Sequence, residues 1–508
     1  MRKIVFLICF IGIGLLAKGQ TWGLDSTFGN GGIVITNMGT IRDAGLSVML
    51  QTDGKIVGVG YSDNGNSWKF SMVRYNTDGS IDSTFGTNGK VLANNGGAEA
   101  ATLQPDQKIL LSGSTGSSPL SSDSYALLRF NIDGSPDSSF GTYGRVNTTF
   151  GDYDHRGFGV IVQPDNKIVQ CGTLRNQVTK FTLTRFEVDG SLDSTFGTNG
   201  SVITDMQEFG ETYFLSLQND GKIIQSGRLR NGSSMDFVLI RYLSNGIIDS
   251  TFGINGMVLT DIEGDDENFG GVAIQPDGKI LGTGRVDNNS NPTDRNFWLI
   301  RFNEDGSLDN TFGTGGKVST DFGYDDISIV LILLSDGKII VSGWIHKPND
   351  VADLGIAKYN TDGSLDTTFG TNGKIITTIG NYGDYVYSGA EQPNGKIILF
   401  GFTDRGSGTV GDWDFFAARY GFNGHSIGIN DIDNTTNVQI YPNPTTSTLT
   451  IQNASGLYHL SDITGKTLLS GLASGETFTL DISALSSGVY FLTLSEGGQQ
   501  VVSKVVKQ

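Results

Sequence analysis

One unit recurs seven times along this chain, and the recurrence limits the fold more than any single residue does. Each copy contains Asp-x-[Ser/Thr]-Phe-Gly-x-x-Gly, with its phenylalanine at Phe28, Phe85, Phe140, Phe196, Phe252, Phe312 and Phe369. The gaps are 57, 55, 56, 56, 60 and 57 residues. A period of this size means that one supersecondary unit is repeated and stacked. Two further elements keep step with it. A turn of the form [Gln/Leu]-x-[Asp/Asn]-x-Lys-Ile places Lys55, Lys108, Lys167, Lys222, Lys279, Lys338 and Lys396, each followed five residues later by glycine, from Gly60 to Gly401. A basic–aromatic pair appears as Arg74-Tyr75, Arg129-Phe130, Arg185-Phe186, Arg241-Tyr242, Arg301-Phe302, Lys358-Tyr359 and Arg419-Tyr420.

Within a unit the pattern is that of four short strands. After Phe252, strands are expected at 256–259, 270–275, 279–284 and 296–302, separated by Pro276-Asp277-Gly278 and Asp305-Gly306. Asp-Gly is hairpin chemistry, because glycine supplies the positive φ the turn needs. No apolar stripe of helical period lies between the turns. Four antiparallel strands repeated seven times predict an all-β chain: a seven-bladed β-propeller of about 57-residue four-stranded repeats, followed by a small C-terminal β-sandwich. The repeated phenylalanine is expected to plug the space between blades. The second strand of each unit is rich in small residues (Gly45-Leu46-Ser47, Gly97-Ala98, Gly270-Gly271), so it is expected nearest the axis. Blades then begin at that strand, and the last runs out at Arg419-Tyr420. The spare strand at 32–36 is expected to close the ring on residues 413–420.

The first residues, Arg2 and Lys3 followed by an apolar run from Ile4 to Ala17, resemble a secretory signal over residues 1–19. The run is short for a bilayer-spanning helix, and no later stretch suits one. Without residues 1–19 the charge is 32 − 53 = −21, and Cys171 is the one remaining cysteine. So acidic a surface disfavours nucleic acid, and a lone cysteine excludes an internal disulfide. The repeat fills residues 20–424, a polar linker spans 425–437, and a different unit occupies 438–508. That unit opens Val438-Gln439-Ile440-Tyr441-Pro442-Asn443-Pro444 and reads as about seven short strands, a β-sandwich.

Asp189-Gly190-Ser191-Leu192-Asp193-Ser194-Thr195-Phe196-Gly197 resembles the delta-60 repeat, whose pattern continues Gln-Pro-Asp-Gly-Lys-Ile. The resemblance covers residues 22–424 and implies a secreted or surface propeller with no agreed activity. The C-terminal unit is similar to the type A sorting domain of the Bacteroidota type IX secretion system, on Tyr441, Pro442, Asn443, Pro444, Gly465, Gly488 and Tyr490. That similarity implies export through the outer-membrane translocon as a partner, removal of the tail, and release or attachment at the surface of a Gram-negative cell.

No nucleophile elbow, His-Glu-x-x-His or paired-cysteine spacing is present, and no catalytic residue is assigned. His155, with Asp152 and Asp154 nearby, is the histidine to watch. The more suggestive constellation is acidic: Asp43, Asp154, Glu211, Glu267, Asp326 and Asp384 lie at the start of the inner strands, while the second blade has only Glu99, inside its strand. These carboxylates are expected to ring one mouth of the channel, where they could hold Ca²⁺ or act as an acid/base pair on a glycoside. They could equally cap their own turns or pair with the repeat's arginines. No other cofactor is implied. The expected function is a monomeric, non-catalytic secreted or surface propeller that binds a glycan or protein partner, or serves as a structural or adhesive coat. The alternative is a polysaccharide-active hydrolase or lyase.

Overall fold

The computed structural model describes residues 21–507 except 117–123, 152, 177, 263–265, 288–294, 348–350, 407–410, 424–438, 442, 444, 453–455, 463–465, 474–476 and 497–498. The expected signal segment, the expected linker, Asp152, Pro442, Pro444 and Gly465 therefore lie outside the described residues. All regular structure among the described residues is β-strand. They divide into two compact units, Thr21–Phe422 and the part from Asn423 onward.

In the first unit the repeat folds as expected, one antiparallel four-stranded blade per period. The first blade is Arg42–Leu50, Ile56–Asp63, Trp68–Tyr75 and Lys90–Asn95. Five more follow on the same plan, beginning at Gly97, Asp154, Gly210, Asp266 and Asp325. The seventh has Gly383–Glu391, Ile397–Asp404 and Trp413–Asn423 from its own period. The first strand of every blade packs on the first strands of both neighbours in an unbroken cycle, so these strands are the innermost ones. Each inner strand has a bulge near its middle, as at Gly45/Ser47 and Ala98/Ala100, and a bulge re-aims the extra side chain.

Closure occurs as the chain start predicts: Ile33–Thr36 pairs antiparallel with the last blade, Ile33 opposite Ala418 and Thr36 opposite Phe415. A further device recurs at the blade interfaces. In six interfaces a turn glycine of one blade, preceded by Asp or in one case by Asn245, sits on the phenylalanine of the blade before. A Cβ on Gly134, for example, would stand 2.9 Å from the Phe85 ring, and this glycine also has φ +82°. In the seventh blade the third strand runs on through Asn423, and Trp22 packs against Phe369, with ring centroids 5.3 Å apart. All seven repeat phenylalanines are buried.

The other repeated residues form one ion cluster per blade. Asp82 receives Arg74 Nε at 2.8 Å and Lys55 Nζ at 3.0 Å, and its other oxygen accepts the Thr84 hydroxyl at 2.6 Å. The Arg74 guanidinium lies 4.6 Å from the Phe85 ring centroid and donates to the Ile132 carbonyl of the next blade. Burial would raise the Asp82 pKa, but the hydrogen bonds from Thr84 and Lys55 and the Arg74 charge hold it well below the usual carboxylate range. The basic–aromatic pair is thus a blade-to-blade clamp, and the shared Asp-Lys-Arg residues belong to the scaffold.

In the C-terminal unit, Gln439–Tyr441, Thr448–Gln452 and Thr477–Asp481 form one sheet, and Gly456–Ser461, Thr467–Ala473, Gly488–Glu496 and Gln499–Lys507 another. Leu449, Ile451, Leu460, Leu480, Leu492 and Val505 make a shared core. Tyr490 is buried there and donates to the Ser486 carbonyl at 2.6 Å. Asn443 Oδ1 accepts from Val506 N–H at 2.8 Å. Tyr441 and Gly488 are exposed.

Candidate functional site

The inner strands all start at one mouth of the channel, but the carboxylates there do not converge as a ring. Counted from the bulge, the equivalent residues are Asp43, Gly96, His155, Gly210, Glu267, Asp326 and Asp384. Four of the six expected ligands share this register, and each turns back to cap the loop before its strand. Asp43 accepts Met38 N–H at 2.8 Å, Glu267 accepts Ile262 N–H at 2.7 Å, Asp326 accepts Phe322 N–H at 2.6 Å, and Asp384 accepts Ile379 N–H at 2.6 Å. All four side chains are buried. Burial pushes Glu267 up to about 8 and Asp326 up to about 7. In the third blade His155 does the same work, its Nε2 accepting Phe150 N–H at 2.8 Å; it is a buried capping residue against Tyr125.

Asp154 and Glu211 are one residue out of that register and reach a different environment. Asp154 pairs with Arg156 at 3.2 Å. Glu211 is held by Arg175 and Arg228 and accepts the Tyr213 hydroxyl at 2.5 Å. Among the described residues no group of three or more His, Cys, Asp or Glu is disposed to hold a metal ion. The correction to the expected site is therefore geometric: Asp43, Glu267, Asp326 and Asp384 serve their own loops, whereas Glu211 and the neighbours of Asp154 border a cavity.

That cavity, of about 290 Å³, is a notch over the second blade. This blade alone is small at both of two successive inward positions. After the repeat glycine the seven blades carry Tyr61, Ser114, Thr173, Arg228, Arg285, Trp344 and Phe402. Two residues further on they carry Asp63, Gly116, Arg175, Arg230, Asp287, His346 and Asp404. Ser114, Gly116, Gly96 and Gly97 leave the space that larger side chains fill elsewhere. One wall is the Tyr61–Trp68 pair, with centroids 4.3 Å apart. The facing wall has Arg156, Phe158, Glu211 and Tyr213, with Phe158 edge-on to Tyr213 at 5.5 Å.

Glu99 lines this notch. It occupies the second blade's bulge, where the first, sixth and seventh blades have Leu46, Ile329 and Tyr387. No protein group among the described residues donates a hydrogen bond to it. Burial pushes it up to about 7, opposed by the charge of Arg156. The sequence singled out the second blade as irregular, but not that its missing bulk opens a cavity.

A ring of antiparallel blades on a channel, with a separate β-sandwich tail, defines a repeat propeller bearing a terminal module. Comparison with family models agrees on both parts. Residues 51–85, 104–140, 163–196, 218–252, 275–312 and 334–369 match "Domain of unknown function (DUF5122) beta-propeller", and residues 439–508 match "Secretion system C-terminal sorting domain". The chain thus carries six DUF5122 β-propeller repeats and a type IX secretion sorting domain, which indicates a secreted or cell-surface protein of a Bacteroidota-type bacterium. No curated protein matches the chain. Solved structures share the fold at low identity. Virginiamycin B lyase from Staphylococcus aureus is 11% identical, with 76% of this chain and 98% of that one covered and a TM-score of 0.36. The propeller domain of the Trilobed protease from Pyrococcus furiosus is 10% identical, with 74% and 95% covered and a TM-score of 0.39. A polysaccharide lyase is 11% identical, with 81% and 94% covered and a TM-score of 0.40.

Proposed function

We propose that this exported propeller is a carbohydrate-binding protein that seats a sugar residue in the notch over the second blade. The observation that supports it most is a local break in the repeat: the second blade alone is small at both positions after its glycine, Ser114 and Gly116, and an aromatic pair faces polar groups across the gap. Tyr61 and Trp68 offer apolar ring faces to the C–H face of a pyranose, whose burial is favourable. Ser114, Thr115, Arg156 and Glu99 offer the few polar groups that orient a ligand in a largely preformed pocket. The size is at the lower end for small-molecule sites, of order 300 Å³. The six-carboxylate cation ring and the acid/base pair drawn from it have no such support, because four of those groups cap loops.

The full-length exported protein is to be incubated with a panel of insoluble and soluble polysaccharides, with retention and new reducing ends scored together. Retention without cleavage is expected. Trp68→Ala is expected to weaken retention at least tenfold. Ser114→Tyr places in the second blade the residue the first carries as Tyr61 and is expected to abolish retention. This change forfeits the Gly157 N–H bond to Ser114 Oγ (2.9 Å), so melting is recorded alongside. Absence of retention on every glycan, or retention untouched by both substitutions, would overturn the proposal. New reducing ends would replace it with the hydrolase or lyase reading.

A further inference from the structure

Resting on that carbohydrate reading, we propose that Glu99 is the specificity-determining residue of the notch: it acts as a neutral acid that donates a hydrogen bond to an uncharged sugar, and binding is lost when it ionises.

The geometry supports this from three sides. First, every formal charge bordering the notch other than Glu99 already has an opposite partner: Arg156 is paired with Asp154, and Glu211 with Arg175 and Arg228. A ligand therefore meets matched ion pairs, which disfavours a charged guest, since it would have to compete with them. Second, among the described residues no protein group donates a hydrogen bond to Glu99, which is half-buried in the notch wall. Without a partner there, the charged carboxylate costs more than the neutral carboxyl. Third, its surroundings are mainly phenolic and apolar. Tyr61 of the first blade and Tyr387 of the seventh lie close enough to sense its charge, and both phenols are pushed up chiefly by burial, Glu99 adding to the effect. The titratable and charged groups facing it are thus Tyr61, Tyr387 and Arg156, with Glu211, Tyr213, Arg175, Arg228, Arg285 and Asp154 beyond them around the same mouth.

The chemistry is a reversible proton equilibrium. Neutral Glu99 donates its O–H to a hydroxyl or ring oxygen of the sugar. Ionised Glu99 can only accept, leaves that oxygen without its donor, and is disfavoured in the closed notch. Affinity should then fall as pH rises through Glu99's pKa of about 7, by up to about tenfold for each pH unit above it.

The test is retention of the full-length protein on the glycans that hold it, between pH 5.5 and 8.5, for the native chain, Glu99→Gln and Glu99→Ala. The expected result is a drop of about tenfold or more in the native protein between neutrality and the upper limit. Glu99→Gln, whose amide donates at every pH, is expected to bind with no such drop, and Glu99→Ala to bind weakly throughout. Uronic-acid and sulfated polymers are expected not to be retained. Native binding that is independent of pH, or an equal drop in Glu99→Gln, overturns the role of Glu99 and leaves the carbohydrate reading standing. Retention confined to acidic polymers overturns the neutral-ligand assignment. Failure to bind any glycan at any pH overturns both.

Discussion

The blade-to-blade clamp gives the sharpest stability prediction, because the chain contains its own control. Arg419 joins the last blade to the first. Its Nε meets Asp25 at 2.7 Å, its guanidinium donates to the Thr77 carbonyl of the first blade and to Thr27 Oγ1 at 3.0 Å, and it lies 4.6 Å from the Phe28 ring centroid. At the equivalent place in the sixth blade the residue is Lys358, 3.8 Å from Asp366 and 4.8 Å from the Trp22 ring. The difference has a cause. In the blade after Lys358 the strand continues through Asn423 where the other blades turn, and the cation faces the Trp22 ring instead.

Removing Arg419 therefore costs one charge-assisted hydrogen bond, about 1.5–3 kcal/mol, and leaves the Thr77 carbonyl short of a donor, about 1 kcal/mol. The lost ring contact adds about 0.5–1 kcal/mol. Lys396 stays 2.7 Å from Asp25, so that carboxylate is not abandoned and the sum is about 3–5 kcal/mol, in the range for breaking a buried pair. Arg419→Lys keeps the charge but not the fork, and is expected to cost about 1–2 kcal/mol. Lys358→Arg is expected to gain nothing, within about 0.5 kcal/mol. Urea unfolding followed by tryptophan fluorescence measures all three. If Arg419→Lys is neutral, or if Lys358→Arg stabilises as much as Arg419→Lys destabilises, the clamp does not join blades in the way described.

Trp22→Ala removes the ring that packs on Phe369 and is expected to destabilise by about 3 kcal/mol, read as a lowered melting temperature. Glu267 should couple stability to pH. Its folded pKa of about 8 lies above the ordinary 4.5, so its contribution is complete below about 4.5 and is lost as pH rises through 8. Glu267→Gln should flatten that loss, about 2 kcal/mol after allowance for screening, and an unchanged pH profile of unfolding in the variant would refute it. Asp25 has the opposite sign. Burial would raise it, but Lys396, Thr27 and Arg419 hold it down to about 2. Its contribution is present above about 4 and is lost as pH falls through 2, so Asp25→Asn should show a smaller fall in stability than the native chain between pH 4 and 2.

The scaffold was legible in the sequence because every blade solves the same problem with the same residues. Phe85 must fill an interface, Gly134 must turn with positive φ against it, and Arg74 must bridge Asp82 to the next blade, so each need leaves a mark at every period. Closure by residues 33–36 was legible for the same reason, as a strand left over at one end and wanting at the other. Trp22 was not, since a single residue has no period to reveal it. The carboxylates misled through a one-residue ambiguity. Proximity to a strand start does not say which face a side chain takes, and a slip of one residue in a strand exchanges faces. Asp43 and Glu267 therefore cap loops, while Glu211 borders a cavity. Within the repeat, a functional site is most visible as bulk that is absent. Ser114, Gly116 and Gly97 carry no chemistry that a motif search could score, and their meaning appears only when Tyr61 and Arg156 are seen facing each other across the gap they leave. For a repeat propeller of this kind, comparing side-chain volume blade by blade at positions near the channel mouth finds cavities that a search for reactive groups passes over, and the binding site proposed here is one of them.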